Sequence, residues 1–233
     1  MAIRRVRLGF SLIELLVVVA IIALMVSILL PSLTRARQQA QRVACGSNQK
    51  QVIAGIYMYA QDQGGYVPYG MPRFNLSLTW CVYQEWGGNL PKSDGYPAKG
   101  FVHHGLLFGT KQIRDPQTFF CPAYFEFPHV YPKGWNEFTG FNGKERRATS
   151  FIYALSGQID KYPKGQRTFV RLDRFKPREA LFADVFMGNP SRRQKVRVWP
   201  HRGGINAAKA DGSMILARVD PRLANTGRAV LCQ

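Results

Sequence analysis

Glu14 is the first residue whose type and setting call for chemistry. It lies in the run FSLIELLVVVAIIALMVSILL, residues 10–30, where only Ser11 and Ser27 otherwise interrupt the apolar side chains. A carboxylate near the start of a membrane-spanning helix costs about 2.5–3.5 kcal/mol unless something neutralises it. Gly9 and Phe10 stand just ahead of it. A cut between them would create an α-amino group four residues before Glu14, and the amine of one subunit could then meet the glutamate of its neighbour. A buried ion pair of this kind sets register more than it adds stability. The plainer alternative is a glutamate that snorkels to the interface or takes up a proton.

Other reactive side chains are scattered. Cys45, Cys81, Cys121 and Cys232 form no CxxC pair and match none of the Cys/His spacings of zinc sites, so neither a metal nor any other cofactor is expected. His103 and His104 read as a strand or loop feature, since no third ligand accompanies them. Asp211-Gly212, set between AAKA and SMILA, reads as a two-residue type I′ hairpin loop, with His201 near the start of the first strand. His201 and Asp211 then form either a metal or hydrogen-bond pair or part of a hairpin with a capped loop. Two ligands are too few for a metal, which favours the hairpin. Arg192, Arg193, Lys195 and Arg197, followed by Trp199, could track phosphates and stack a base, or could simply be the charged edge strand that discourages aggregation. The sequence contains no GxSxG elbow, HExxH helix, phosphate loop or dinucleotide fingerprint, and no catalytic residues are assigned.

The elements that must carry these residues follow from patterning. Residues 10–30 are long enough as a helix to span about 30 Å, one bilayer core. Arg4, Arg5 and Arg7 precede them, which places that end in the cytoplasm and the remainder outside. A secretory signal has a shorter apolar region and a small-x-small cleavage site, whereas this run leads into Pro31, Arg35 and Arg37. After Pro31, Leu33, Ala36, Ala40, Val43, Ala44, Ile53, Ile56, Tyr57 and Ala60 recur at helical spacing, and Gly64-Gly65 is the expected stop. Gly46 and Gly55 weaken the middle of that helix. Strands are expected near 76–82, 150–155, 168–172, 180–186, 195–199 and 213–219, while 83–143 reads as irregular. The result is an α+β protein: a leader at 1–9, a membrane helix at 10–30, an amphipathic stalk at 31–65, and a head at 66–233 with its Asp-Gly hairpin at 205–219.

The Arg-rich leader, Gly9, Phe10, Glu14 and the apolar run together resemble the type IV prepilin family, including the pseudopilins of type II secretion. The resemblance implies that prepilin peptidase cuts after Gly9 and methylates the amine of Phe10. It makes Glu14 the fifth mature residue and Pro31 the twenty-second, a position where many members carry a helix-kinking proline. ACGSNQKQV from Ala44, YMYAQD, FCPA around Cys121, and His201 followed after nine residues by Asp211-Gly212 are similar to a bacterial pseudopilin group with that C-terminal motif. Cys45 and Cys121 could form a disulfide closing a long loop, for about 3–5 kcal/mol, or remain free buried thiols.

The expected function is a non-catalytic subunit of a type II secretion-like or type IV pilus-like filament, held in the inner (cytoplasmic) membrane until assembly. Its expected partners are the peptidase, other pilin or pseudopilin subunits, and membrane lipid. The formal charge of +18, or +15 once Arg4, Arg5 and Arg7 are removed, suits either a solvated surface or an acidic partner. A DNA-uptake or polyanion-binding pilin is therefore one alternative, with nucleic acid as its ligand. A membrane-tethered enzyme is the other, disfavoured because no catalytic constellation is present.

Overall fold

A computed structural model describes residues 11–69, 81–85, 99–124, 131–136, 146–153, 169–178, 180–184, 201 and 204–217. Gly9, Phe10 and the basic cluster Arg192, Arg193, Lys195, Arg197 and Trp199 lie outside them, as does the strand expected at 195–199. The chain divides into two compact units, residues 1–40 and 41–233, with the division falling inside the first helix.

Helix α1, Leu12–Asp62, contains Pro31 without ending there. Its start is a reciprocal cap that the residues SLIE encode: Ser11 Oγ accepts from the Ile13 N–H at 3.3 Å, and Glu14 Oε2 accepts from the Ser11 N–H at 2.9 Å. Proline supplies no N–H and crowds the preceding turn. On either side of it, hydroxyls donate back to helix carbonyls, Ser27 to Leu24 and Ser32 to Leu29 at 2.7 Å and Thr34 to Leu30 at 2.9 Å. Such bonds occupy hydroxyls that a membrane interior would otherwise leave unpaired. Within the first unit the large apolar side chains from Leu12 to Leu33 are exposed.

In the second unit the same helix turns one face into a core. Cys45, Gln49, Val52, Ile53, Gly55, Ile56, Tyr59 and Ala60 are buried. The expected stripe is therefore right at Ile53, Ile56 and Ala60, while Val43 and Ala44 remain exposed. Gln49 replaces them because its amide has a buried partner, the Asp184 carboxylate. The helix stops where its glycines predict: Gly64 and Gly65 take φ of +62° and +91°, and the Gly65 N–H reaches back to the Ala60 carbonyl at 2.7 Å.

Among the described residues two antiparallel sheets follow. One has the order β2-β1-β3, from Lys99–Phe101, Cys81–Glu85 and Arg146–Ala148. β2 and most of β1 lie in the stretch expected to be irregular, where a three-residue strand such as KGF is too short to show alternation. β1 begins at the end of the strand expected at 76–82, whose residues 76–80 lie outside the described ones. The other runs β4-β5-β6-β7, from Phe151–Tyr153, Ala180–Asp184, Ile205–Lys209 and Met214–Ala217. The strand expected at 168–172 is instead a single bridge, Arg171 against Tyr66, leading into a 3-10 turn at Leu172–Arg174. One-turn helices α2, Leu106–Gly109, and α3, Lys133–Asn136, complete the described elements with 3-10 turns at His103–Gly105 and Pro116–Phe119. A long apolar helix with antiparallel sheets is the α+β, pilin-like layout that the resemblance implied.

The hairpin between β6 and β7 forms, though with a different loop. Of its residues only Gly212 has positive φ, +80°, and its N–H donates to the Lys209 carbonyl at 3.0 Å while the Lys209 N–H donates to Ser213 O at 2.9 Å. That pattern is the three-residue loop ending in a left-handed glycine, in place of the expected two-residue type I′ turn, which needs positive φ at both central positions. Asp211 caps it, with Oδ1 accepting from the Ser213 N–H at 2.8 Å.

Candidate functional site

The two units carry two different candidate sites. In the first, the chemistry resides in Glu14 at the cap of α1 and in the exposed apolar surface that follows. Its helix is long and apolar enough to cross a membrane, and none of its most apolar stretch is buried in the chain itself. Pro31 sits inside the helix at the end of that stretch.

In the second unit four side chains from distant parts of the sequence converge. Cys45 comes from α1, Cys121 from the loop after the Pro116–Phe119 turn, Asp184 from the end of β5, and His201 from a bridge to Gly204. All four are buried, and one ligand-type atom from each lies within 4.8 Å of the others. The Cys45 thiol donates to Asp184 Oδ1 at 3.0 Å. His201 Nε2 stands 3.3 Å from Asp184 Oδ2 and 3.4 Å from Cys121 Sγ.

Local structure holds each member in place. Gln41, Asn48 and Gln49 share a face of α1 with Cys45, being three or four residues from it. Gln41 Nε2 donates to the Pro122 carbonyl at 3.4 Å and Asn48 Nδ2 to the Phe120 carbonyl at 2.9 Å, so the helix grips the backbone on both sides of Cys121. Gln49 Nε2 donates to Asp184 Oδ1 at 2.8 Å, and the Asn206 N–H donates to Oδ2 at 2.7 Å, which fixes the carboxylate plane. The Gly204 N–H returns to the His201 carbonyl at 3.2 Å. Position 204 must be glycine, since a Cβ there would lie 2.2 Å from the Ala217 carbonyl oxygen of β7.

Burial and neighbours set the electrostatics. For His201, burial favours the neutral ring, but the hydrogen bonds to Asp184 and Cys121 and the charge of Asp184 outweigh it and raise the pKa to about 9. The hydrogen bond from Cys45, reinforced by His201, brings Cys121 down to about 7 against the opposing effect of burial. Burial, the largest influence on Cys45, pushes that thiol up. Cys121 is thus the thiol of the pair that ionises first.

Asp211 follows the capped-hairpin reading that the sequence favoured. His201 joins Asp184 and Cys121, while Asp211 serves the hairpin loop, so the two do not pair. Cys45 and Cys121 are adjacent free thiols. Asp184 and Gln49 escape sequence reading because an aspartate closing an apolar strand and a glutamine among helix polar residues look solvated. His104 is a core histidine: Nε2 lies 2.9 Å from Thr149 Oγ1, and its ring packs between Phe119 and Phe182. Burial holds its pKa well below the ordinary histidine value.

Residues 4–30 match the prokaryotic N-terminal methylation motif, and that match takes in Gly9, Phe10, Glu14 and the apolar run. The chain is prepilin-like at its N-terminus. No curated protein and no solved structure matches it. A prepilin-like motif on an apolar, spanning-length helix describes a membrane-anchored protein, and the motif implies processing by prepilin peptidase and assembly with other pilin subunits.

Proposed function

We propose that this protein is a pseudopilin or minor pilin, a structural subunit of a type II secretion-like or type IV pilus-like filament. The match of residues 4–30 to the methylation motif is the observation that carries the reading. In this proposal prepilin peptidase cuts after Gly9, Phe10 becomes the methylated N-terminus, and the precursor sits in the inner membrane with its arginines in the cytoplasm and its head outside. Assembly buries the surface from Leu12 to Leu30 against the helices of neighbouring copies. Glu14 then sets axial register by meeting a neighbour's α-amine. Its Oε2 receives the Ser11 N–H, which holds the carboxylate at the helix end. The spacing of His201, Asp211 and Gly212 supports a reading of the subunit as one of the pseudopilin group that shares this C-terminal motif.

Mass spectrometry of protein isolated from its own membranes tests the proposal. The expected N-terminal peptide begins with a methylated Phe10. Mature protein still beginning at Met1, or beginning beyond Pro31, would remove the basis for the filament reading.

A further inference from the structure

We propose that Cys45, Cys121, Asp184 and His201 form a structural site for a divalent cation of the zinc class, clamping the buried face of α1 to the loop at Cys121 and to the β5–β6 region of the head. The donor set is the first support. Two sulfurs, an imidazole nitrogen and a carboxylate are zinc's ordinary protein ligands, and four of them make a closed tetrahedral site with no position left for substrate. Their burial is the second. The least buried of the four are only 3% exposed, a setting in which a structural cation can be fully enclosed.

Geometry is the third. Zinc lies about 2.3 Å from sulfur and about 2.0–2.1 Å from nitrogen or oxygen, which puts neighbouring ligands of a tetrahedron about 3.4–3.8 Å apart. The His201–Asp184 and Cys121–His201 separations, 3.3 and 3.4 Å, already fall close to those edges. The 3.3 Å His201–Asp184 separation is also slightly long for a hydrogen bond from an imidazole nitrogen to a carboxylate oxygen, whose usual range ends near 3.2 Å. The 3.0 Å Cys45–Asp184 contact is shorter than a tetrahedral edge and opens by about half an ångström when a cation takes the place of the thiol proton.

The surroundings supply what a metal site needs outside its ligands. The Gln49 amide and the Asn206 N–H orient the Asp184 carboxylate, the role that outer hydrogen bonds play around ligated metals. His201 Nδ1 has no partner among the described residues, so a proton can reside there while Nε2 turns its lone pair to the cation. On binding, the two thiols become thiolates and their protons leave to solvent, along with any proton held on Nε2. One dication then meets two thiolates and a carboxylate, and the buried His201–Asp184 ion pair is replaced by metal–ligand bonds.

The full chain, reduced and purified in detergent, tests the site with zinc and cobalt(II) as probes. After chelator treatment it should take up about one equivalent of zinc per chain. Cobalt should give intense visible bands of a tetrahedral ion with thiolate charge transfer in the near ultraviolet. Cys121→Ser should weaken that charge-transfer band and abolish tight binding. Because such a variant could fail to fold, Gln49→Leu provides a second test: it keeps all four ligands, and affinity should fall roughly 10–100-fold. A chelator should lower the melting temperature of the wild type. If reduced wild-type protein takes up no cobalt, or shows only the pale spectrum of an octahedral ion, the site does not exist. A peptide map of the protein as isolated that joins Cys45 to Cys121 in a disulfide would overturn the proposal equally.

Discussion

Residues 1–40 and 41–233 invert one another's solvation. In the first unit the large apolar side chains face outward, Leu12 at 85% exposure and Leu33 at 66%, and the carboxylate of Glu14 sits at a helix cap. In the second, Asp184 is 0% exposed and polar groups from α1 make bonds inside the core. An apolar exterior is stable only against lipid or other helices, whereas a buried carboxylate is stable only with fixed partners. The first unit therefore needs lipid or other helices around it, whereas the second is completed by its own fold. A single helix serves both because its side chains change character after Pro31 while α1 continues to Asp62.

The contrast can be broken from either side. Glu14→Ala should have the largest effect, an all-or-none loss of filament assembly, since it removes the proposed partner of the neighbour's amine. The melting temperature of the head should not move. Pelleting of sheared filaments together with a melt of the detergent-solubilised protein would check both halves, and normal filaments would rule out the pairing. Phe182→Ala attacks the other side. Its ring is fully buried, with centroids 5.0 Å from both His104 and Phe151. Deleting it should cost about 3–5 kcal/mol, read as a lower denaturant midpoint, while the protein stays in the membrane fraction. Loss of membrane retention in that variant would show that the two units are not independent.

How much of this could be read from sequence follows the same divide. The first unit was legible because its signal is local: a contiguous apolar run, a glycine followed by a phenylalanine, and one misplaced carboxylate. The cap at Ser11 and Glu14 was encoded just as locally, as Ser-x-x-Glu, though the charge of Glu14 draws attention away from it. In the head, β5 and β7 were legible from their own residues, Ala180–Asp184 and Met214–Ala217. Of the other sheet only the start of β1 was, at the end of the strand expected at 76–82, since β2 and β3 are three residues each and too short to alternate. Least legible was the convergence of Cys45, Cys121, Asp184 and His201. Each lies on a different element, and only tertiary packing gives them a common spacing.

The smallest predicted effect concerns two glycines that weaken the sequence case for a continuous α1. Gly46 and Gly55 both lie inside the helix, yet a methyl group at 46 would meet nothing within 4 Å, while at 55 it would press against Ile113 at 3.1 Å and Leu107 at 3.4 Å. Gly46 thus carries only the entropic cost of glycine in a helix, and Gly46→Ala should stabilise the head by about 0.5–1 kcal/mol. For a unit of this size that is a rise of roughly 1–4 °C in melting temperature. Gly55 serves close packing, so Gly55→Ala should give no gain, because Ile113 must shift before the methyl fits. A calorimetric melt of the two variants in the same detergent separates the cases. Equal shifts would mean that α1 does not approach Ile113 as closely at Gly55 as its glycine permits.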